Sequence, residues 1–395
     1  MKTYHKFDDK SILIWGYGRE GKSTEQFLKD CACPKSVTVF EGKREEIDED
    51  QYDYIIKSPG IVMEEDHPKY TSQTEIFMEV YRQNVIGITG TKGKSTTSAM
   101  LYHVLKECLD RPVILLGNIG EPCLNHFQEI TPETVVVFEL SCHQLAHASA
   151  SPHVAVMLNL YEEHLDYYKT FEKYFAAKCN VTKYQTPDDY FFVGAQVPPV
   201  ETAAQRVVRR WEDAPEYEMQ ILGIHNHYNA YFVYSIATEV YGVDGEKAKA
   251  SIASFTGLNH RLQKIGTVDG VDYYDDSIST IPNATIEALK AVPNSYSVII
   301  GGMDRGICYD TLIQFINEHS EYQYILAYET GKRIYQEITN RDSCIYVEDL
   351  KQAVEQAKAV TPKGRACILS PAAASYGYFK NFEERGDVFK EYVGV

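Results

Sequence analysis

Residues 85–97 constrain this chain more than any other stretch. Val85-Ile86-Gly87-Ile88-Thr89 is a run of small and β-branched apolar residues, the composition of a strand buried in a parallel sheet. Gly90-Thr91-Lys92-Gly93 then turns the chain, and Lys94-Ser95-Thr96-Thr97 leads into Ser98-Ala99-Met100-Leu101, a good helix opening. A strand, a glycine turn and a helix in that order make a phosphate-binding loop. Glycines let backbone amides close round an anion, and the helix start adds partial positive charge. Lys94 can reach the outer phosphates, and the Ser95 hydroxyl can hold a magnesium ion. The strict spacing G-x-x-x-x-G-K-[ST] would put glycine at 88, where Ile88 stands between glycines 87 and 90. On this stretch alone a glycine-rich strand-to-helix turn with no ligand stays open.

At 395 residues the chain has material for two or three domains. Its net charge of −17 argues against nucleic acid as the main partner, since a phosphate backbone needs a basic surface. A local loop can still bind a small anion. The nine cysteines are irregularly spaced, and Cys31-Ala32-Cys33 lacks the spacing of a zinc or redox pair, so reduced thiols are expected. Residues 1–10 are polar and charged, and no apolar run approaches the roughly 20 residues of a membrane span. A cytoplasmic location is expected.

Three α/β units are expected, at 1–83, 84–258 and 259–395. The first opens with a strand at 11–15 and then Gly16-Tyr17-Gly18-Arg19-Glu20-Gly21 and a helix, a G-x-G-x-x-G in the setting of a dinucleotide fingerprint. A second strand ends at Glu41, where a carboxylate would hold a ribose hydroxyl. A third, Tyr54-Ile55-Ile56-Lys57, enters the turn Ser58-Pro59-Gly60-Ile61. About 80 residues are too few for a full dinucleotide site. The second unit continues from the phosphate loop with strands at 112–116, 134–138 and 154–159. The strand at 134–138 runs into Glu139, a carboxylate where a parallel sheet puts its ligand and a phosphate-loop enzyme its magnesium ligand. A helix over 171–179 carries Lys178. The third unit has strands near 298–300, 324–327 and 366–371. Taken singly, a helix lysine is a solvated charge, and a histidine after an acidic pair, such as His164, is a surface residue.

In order along the chain, these pieces resemble the Mur ligases, ATP-dependent amide-forming enzymes of peptidoglycan precursor synthesis. The residues of 89–95 are similar to the family's phosphate loop T-G-T-x-G-K-[ST], which accounts for the displaced glycine. Gly117-Asn118-Ile119-Gly120 resembles G-N-I-G. Glu139-Leu140-Ser141-Cys142-His143-Gln144-Leu145 resembles E-x-S-S-x-Q-L, with Cys142 for the second serine. Asn159-Leu160-Tyr161-Glu162-Glu163-His164-Leu165-Asp166 resembles N-x-x-x-D-H-x-D, with Glu163 for the aspartate. The tail, residues 369–375 and then 379–386, resembles L-S-P-A-x-A-S and F-x-x-F-E-x-R-G of the glutamate-adding branch.

The resemblance implies three domains: a Rossmann-like UDP-binding domain, a central parallel-sheet ATPase domain of phosphate-loop type, and a Rossmann-like C-terminal domain. It implies ATP at Gly90, Thr91, Lys92, Gly93, Lys94, Ser95 and Thr96. Asn226 and Asn229 would be near adenine, with Arg261 and Asp276 reaching the nucleotide from the third domain. Two magnesium ions are implied at Ser95, Glu139, His164 and Lys178, with Lys178 carbamylated and hence anionic. Lys94, His164 and Lys178 carry the chemistry. The UDP substrate, UDP-N-acetylmuramoyl-L-alanine, would lie at Gly16, Gly18, Arg19, Ser58, Gly60, Asn118 and His143. Glutamate would lie at Thr280, Arg305, Ser375 and Phe382. The reaction implied is phosphorylation of the substrate carboxylate, then attack by the amine of glutamate, in a monomer.

Two departures stand out. The family's D-S-K-A-T-N reads Asp276-Ser277-Ile278-Ser279-Thr280-Ile281, so Ile278 replaces a lysine. Residues 182–222 are expected to be trimmed, with no clear strand series. The alternatives are a Mur-type ligase for another amino acid or carboxylate, folylpolyglutamate synthase-like, and a nucleotide-binding regulator with impaired catalysis. A dehydrogenase would leave the phosphate loop unexplained.

Overall fold

In the computed structural model, which describes residues 2–63 and 67–395, the apolar runs become the strands of three sheets. The first sheet holds β1 (Ser11–Trp15), β2 (Ser36–Phe40), β3 (Tyr54–Lys57) and β4 (Tyr70–Thr71), all parallel, in the order β2-β1-β3-β4. β1 is central and its Ile12, Leu13, Ile14 and Trp15 are buried, whereas β2 is an edge strand with Val37 and Val39 exposed. Glu41 follows β2 directly and is exposed.

The second sheet takes β5 (Val85–Thr89), β6 (Val113–Gly117), β7 (Val135–Glu139), β8 (Val154–Met157), β9 (Tyr190–Gly194) and β10 (Gln205–Arg209). All six are parallel, in the order β10-β9-β8-β5-β7-β6. β5, fully buried, sits between β7 and β8, so the carboxyl ends of these three strands lie side by side. The expectation of no strand series over 182–222 is corrected here by β9 and β10. Four apolar residues, Tyr190-Phe191-Phe192-Val193, suffice for β9 because it is covered on both faces. β10 is a mostly exposed edge strand and carries three polar residues out of five.

The third sheet runs β11 (Gln263–Val268), β12 (Val271–Asp275), β13 (Ser295–Gly301), β14 (Gln323–Ala327), β15 (Cys344–Val347) and β16 (Ala366–Leu369). Its order is β11-β12-β16-β13-β14-β15, parallel apart from β11, which forms a hairpin with β12. Asp269 and Gly270 make that turn at φ 51° and 84°, the left-handed pair a tight hairpin requires.

The chain divides into two compact units. One is Met1–Glu218 with His225–Ala253, and the other is Met219–Ile224 with Ser254–Val395. The first unit contains two sheets because one apolar core serves both. Phe27 packs on Phe127 at 4.8 Å, Phe127 on Tyr81 at 5.1 Å, and Phe77 on Phe138 of β7 at 5.8 Å. Each such ring contributes roughly 1.5–3 kcal/mol by leaving water. All nine cysteines are free. Among the described residues no helix is long and apolar enough to cross a membrane.

Candidate active site

The phosphate loop leaves β5 at its carboxyl end and enters the helix Lys94–Cys108 through Gly93. Gly93 has φ 86°, and a Cβ there would stand 2.7 Å from the Asn229 Oδ1, so both backbone and space demand glycine. No side chain caps this helix, which leaves the first-turn amides at Ser95 and Thr96 available to an anion. The loop is held from β8. Asn159, just past that strand, accepts from the Thr91 and Lys92 amides at 3.1 and 2.8 Å and donates to the Lys92 carbonyl at 2.9 Å. The Thr91 hydroxyl bonds the Tyr174 hydroxyl at 3.0 Å, and Lys92 pairs with Glu163 at 2.5 Å. Asn159 stands in the quoted N-x-x-x-D-H-x-D motif but received no role from it, and Tyr174 was not singled out. An amide directly after a buried strand beside the loop was the available signal.

Two lysines converge on one carbonyl. Lys94 Nζ donates to Gly90 O at 3.0 Å and to Thr91 O at 2.9 Å, while Lys178 Nζ donates to Gly90 O at 2.8 Å. Lys178 lies in the helix Phe171–Lys183 and is 1% exposed. Burial first, and then the Lys94 charge, bring its amine down to about 7. Burial lowers Lys94 as well, with Glu139 and Glu163 opposing. Glu139 ends β7 and is fully buried. Its Oε1 accepts from Asn118 Nδ2 at 2.7 Å, and its Oε2 has no hydrogen-bond partner. An orphaned carboxylate oxygen is costly unless a cation meets it. Among the described residues no group of three or more His, Cys, Asp or Glu could hold a metal ion. A lone carboxylate such as Glu139 is the kind of ligand magnesium takes, since that ion uses one or two protein ligands and completes its shell with water and phosphate oxygens.

His164 sits at φ 57° before the short helix Leu165–Tyr168, with its ring 5.0 Å from that of His143 and 6.2 Å from that of Tyr174. Tyr174 also lies 4.9 Å from the Lys178 amine, so one ring borders both residues. Asn226 and Asn229 are buried in the helix His225–Glu239, and Asn229 donates to Asn226 at 2.9 Å. Asn229 thus reaches the loop at Gly93.

Six of the residues expected to face the UDP substrate line a single cavity of about 410 Å³: Gly18, Arg19, Ser58, Gly60, Asn118 and His143. Gly16 does not line it. Gly16 has φ 92°, accepts from the Ser58 hydroxyl at 3.2 Å, and shapes the loop from behind. Arg19 donates to Gly120 O at 2.8 Å. Asn118 therefore borders this cavity and holds Glu139 of the phosphate-loop side.

In the second unit, Asp276 is buried and accepts from the Leu262 amide at 3.1 Å and the Ser370 hydroxyl at 2.8 Å. Burial raises it to about 6, with Arg261 among the groups that oppose. Arg305 donates to Thr280 O at 3.3 Å, and Ser277 donates to Phe382 O at 2.8 Å. Ser375 is buried and its carbonyl accepts from Phe379 at 3.0 Å. Arg385, 1% exposed, stands in the quoted tail motif but received no role from it. It donates to the Ser277 hydroxyl and carbonyl at 3.0 and 2.8 Å and to Ala373 O at 3.1 Å, joining the 276–280 loop to the tail. Gly386 beside it leaves room for the buried His260–Asp275 pair at 2.7 Å.

The family model "Mur ligase middle domain" matches residues 88–213. A UDP-N-acetylmuramoylalanine–D-glutamate ligase of Lactobacillus acidophilus is 30% identical over 100% of this chain and 99% of its own length. That alignment runs over 460 positions against 395 residues here, so the relative carries segments this chain lacks. The enzyme of that name from Aquifex aeolicus is 30% identical over 97% of this chain and 98% of its own. In fold, the chain is similar to a MurF ligase from Thermotoga maritima in complex with ADP. The TM-score is 0.60 at 18% identity, covering 98% of this chain and 96% of that one.

Proposed function

The chain belongs to the Mur ligase family, and on that premise we propose that it joins glutamate to UDP-N-acetylmuramoyl-L-alanine at the expense of ATP, in peptidoglycan precursor synthesis. One observation carries the reading. Asn118 lines the 410 Å³ cavity and holds Glu139 at the end of the phosphate-loop sheet, and the Glu139 charge acts in turn on Lys94, so one chain of contacts joins the cavity to the loop lysine. The UDP moiety occupies the cavity with Arg19 and the amide of Gly18 near its phosphates, and Asn118 and His143 near the sugar. Gly90 to Thr96 wrap the ATP phosphates, and Asn226 and Asn229 meet adenine with amides that donate and accept at once. Arg261 and Asp276 serve the nucleotide.

An oxygen of the substrate carboxylate attacks the γ-phosphorus. The bond to the β-phosphate oxygen breaks, and ADP leaves. The amine of glutamate then attacks the acyl carbon and gives up a proton, and phosphate departs. Lys94 turns from its loop carbonyls to the transferring phosphoryl group and offsets its charge. Glu139 and Ser95 would hold one magnesium ion, which neutralises phosphate charge when bound. His164 and Lys178 would hold a second. As an ammonium Lys178 repels a cation. With an amine near 7, it can add to carbon dioxide, lose a proton, and become an anionic carbamate. Thr280, Arg305, Ser375 and Phe382 receive glutamate, with Arg305 gripping a carboxylate bidentately. The enzyme works as a cytoplasmic monomer.

Measuring ADP release with UDP-N-acetylmuramoyl-L-alanine and a panel of D- and L-amino acids tests the reading. D-glutamate is expected to give the highest kcat/KM. Turnover with another amino acid alone would favour the second reading, a Mur-type ligase of different acceptor, for which Ile278 in place of the motif lysine speaks. ATP binding with no turnover on any acceptor would sink both.

A further inference from the structure

A second cavity, of about 460 Å³, lies in the first unit and shares Pro59, His143 and Gln144 with the nucleotide-sugar cavity. Among its lining residues is Lys57, the last residue of β3 and only 5% exposed. The Lys57 ammonium donates one hydrogen bond, to Ile61 O at 3.1 Å, and makes no ion pair with any described residue. An ammonium has three donors, so this one is under-served in a place where charge is costly. Lys183, at the rim, also lacks an ion pair among the described residues and lies 5.2 Å from the Tyr184 ring.

The acidic groups of the same wall each hold a partner on one oxygen, and the charges of Glu75 and of nearby Glu20 favour the Lys57 ammonium. Glu79 takes Lys6 at 2.7 Å and the Tyr4 hydroxyl at 2.8 Å, and Glu75 takes the Ser149 hydroxyl at 2.9 Å. Among the described lining residues, Lys57 and Lys183 are the lysine cations with no ion pair. Tyr54, Tyr70 and Tyr184 supply apolar surface beside it. The volume is in the range of small-molecule sites and far above that of a single ion.

We propose that this cavity binds a small organic anion, its carboxylate or phosphate group held by Lys57 and Lys183 and its body against the tyrosines, and that the occupant alters nucleotide-sugar binding next door. The coupling rests on the ligase reading given above, because Lys57 directly precedes Ser58 of the nucleotide-sugar cavity. If the two sites are coupled, each ligand changes the other's affinity by the same factor.

Calorimetric titration of the full chain with phenyl phosphate, benzoate and inorganic phosphate tests the site and separates phosphate from carboxylate chemistry. At least one of the two aromatic anions is expected to bind more tightly than inorganic phosphate. Lys57→Met is expected to weaken it by at least about tenfold, the loss of a charge-assisted hydrogen bond, with binding of an ATP analogue unchanged. Lys183→Met, at an exposed position, is expected to weaken it too and serves if Lys57→Met fails to fold. Equal binding by both variants, or no binding of any probe at millimolar concentration, overturns the site. Displacement of the probe by UDP with no effect of either variant places it in the nucleotide-sugar cavity and overturns this inference alone. Lysine-dependent probe binding without ligase turnover would keep the site and refute the ligase reading.

Discussion

At the residue scale, two buried ionisable groups have environments that oppose their ordinary charge. Lys178 shares the Gly90 carbonyl with Lys94, and its amine is lowered to about 7. Carbon dioxide adds only to the neutral amine, which is the minor form below pH 7. Carbamate occupancy, and with it activity, is expected to fall as pH drops through 7. NMR with ¹³C-labelled bicarbonate should show a carbamate carbon in the natural chain and none in Lys178→Met. That variant should lose on the order of 100-fold in kcat, as for removal of one preorganised electrostatic group, and recover in part with acetate. Failure of acetate to help, together with no labelled carbon, would leave Lys178 as a neutral packing residue. Asp276 is the second case, raised from 3.8 to about 6 by burial. Between those values the folded state holds a proton that the unfolded state has released, so its contribution to stability is lost as pH rises to 6. Above pH 6 the buried charge costs at most about 3 kcal/mol. An asparagine can still accept from Leu262 and can donate to Ser370. Asp276→Asn is therefore expected to resist urea better than the natural chain at pH 7.5 while losing activity. A lower urea midpoint at that pH would mean that the charge-assisted bonds outweigh desolvation.

At the scale of elements, the sequence was easiest to read where one residue run decides one strand. β1, β3, β5, β7 and β8 are short apolar runs ending in a turn, and each lies at or within two residues of its expected place. The phosphate loop and Glu139 followed, because they occupy the ends of those strands. β4, β9, β10, β11, β12 and β15 were not foreseen. Their runs are short, two to six residues, and the Asp269-Gly270 turn signal between β11 and β12 was passed over. Asn159 and Arg385 stood in the quoted motifs but received no role, because their role lies in the contacts they make. An asparagine that ties a loop and an arginine that ties two segments 108 residues apart are defined by contacts at long range. The tail motif was read as specificity, yet Arg385 and Gly386 hold the fold. A Cβ on Gly386 would stand 2.1 Å from His260 Nδ1 and 2.5 Å from Asp275 Oδ2, both of which are buried. Gly386→Ala is expected to cost about 2–4 kcal/mol in chemical unfolding of the second unit. A cost below 0.5 kcal/mol would show that the His260–Asp275 pair can move aside.

At the scale of the whole molecule, the division of the chain decides how these effects add. The first unit holds the phosphate loop, the cavity at Arg19 and Asn118 and the cavity at Lys57 around one shared core, and the second holds Asp276, Arg305 and the tail around its own. Separate cores unfold separately unless their interface is large and apolar. Scanning calorimetry is therefore expected to give two transitions. A ligand that binds only the folded form stabilises by mass action, by about 2.7 kcal/mol at a hundred times its Kd. An ATP analogue that contacts mainly the phosphate loop should raise the transition of the first unit, and Gly386→Ala should lower only the other. Lys178→Met removes a buried amine from the first unit and should leave the transition that Gly386→Ala moves in place. A single transition that shifts with all three perturbations would mean that the two cores fold as one cooperative body. The stability effect of Gly386→Ala would then spread to nucleotide binding.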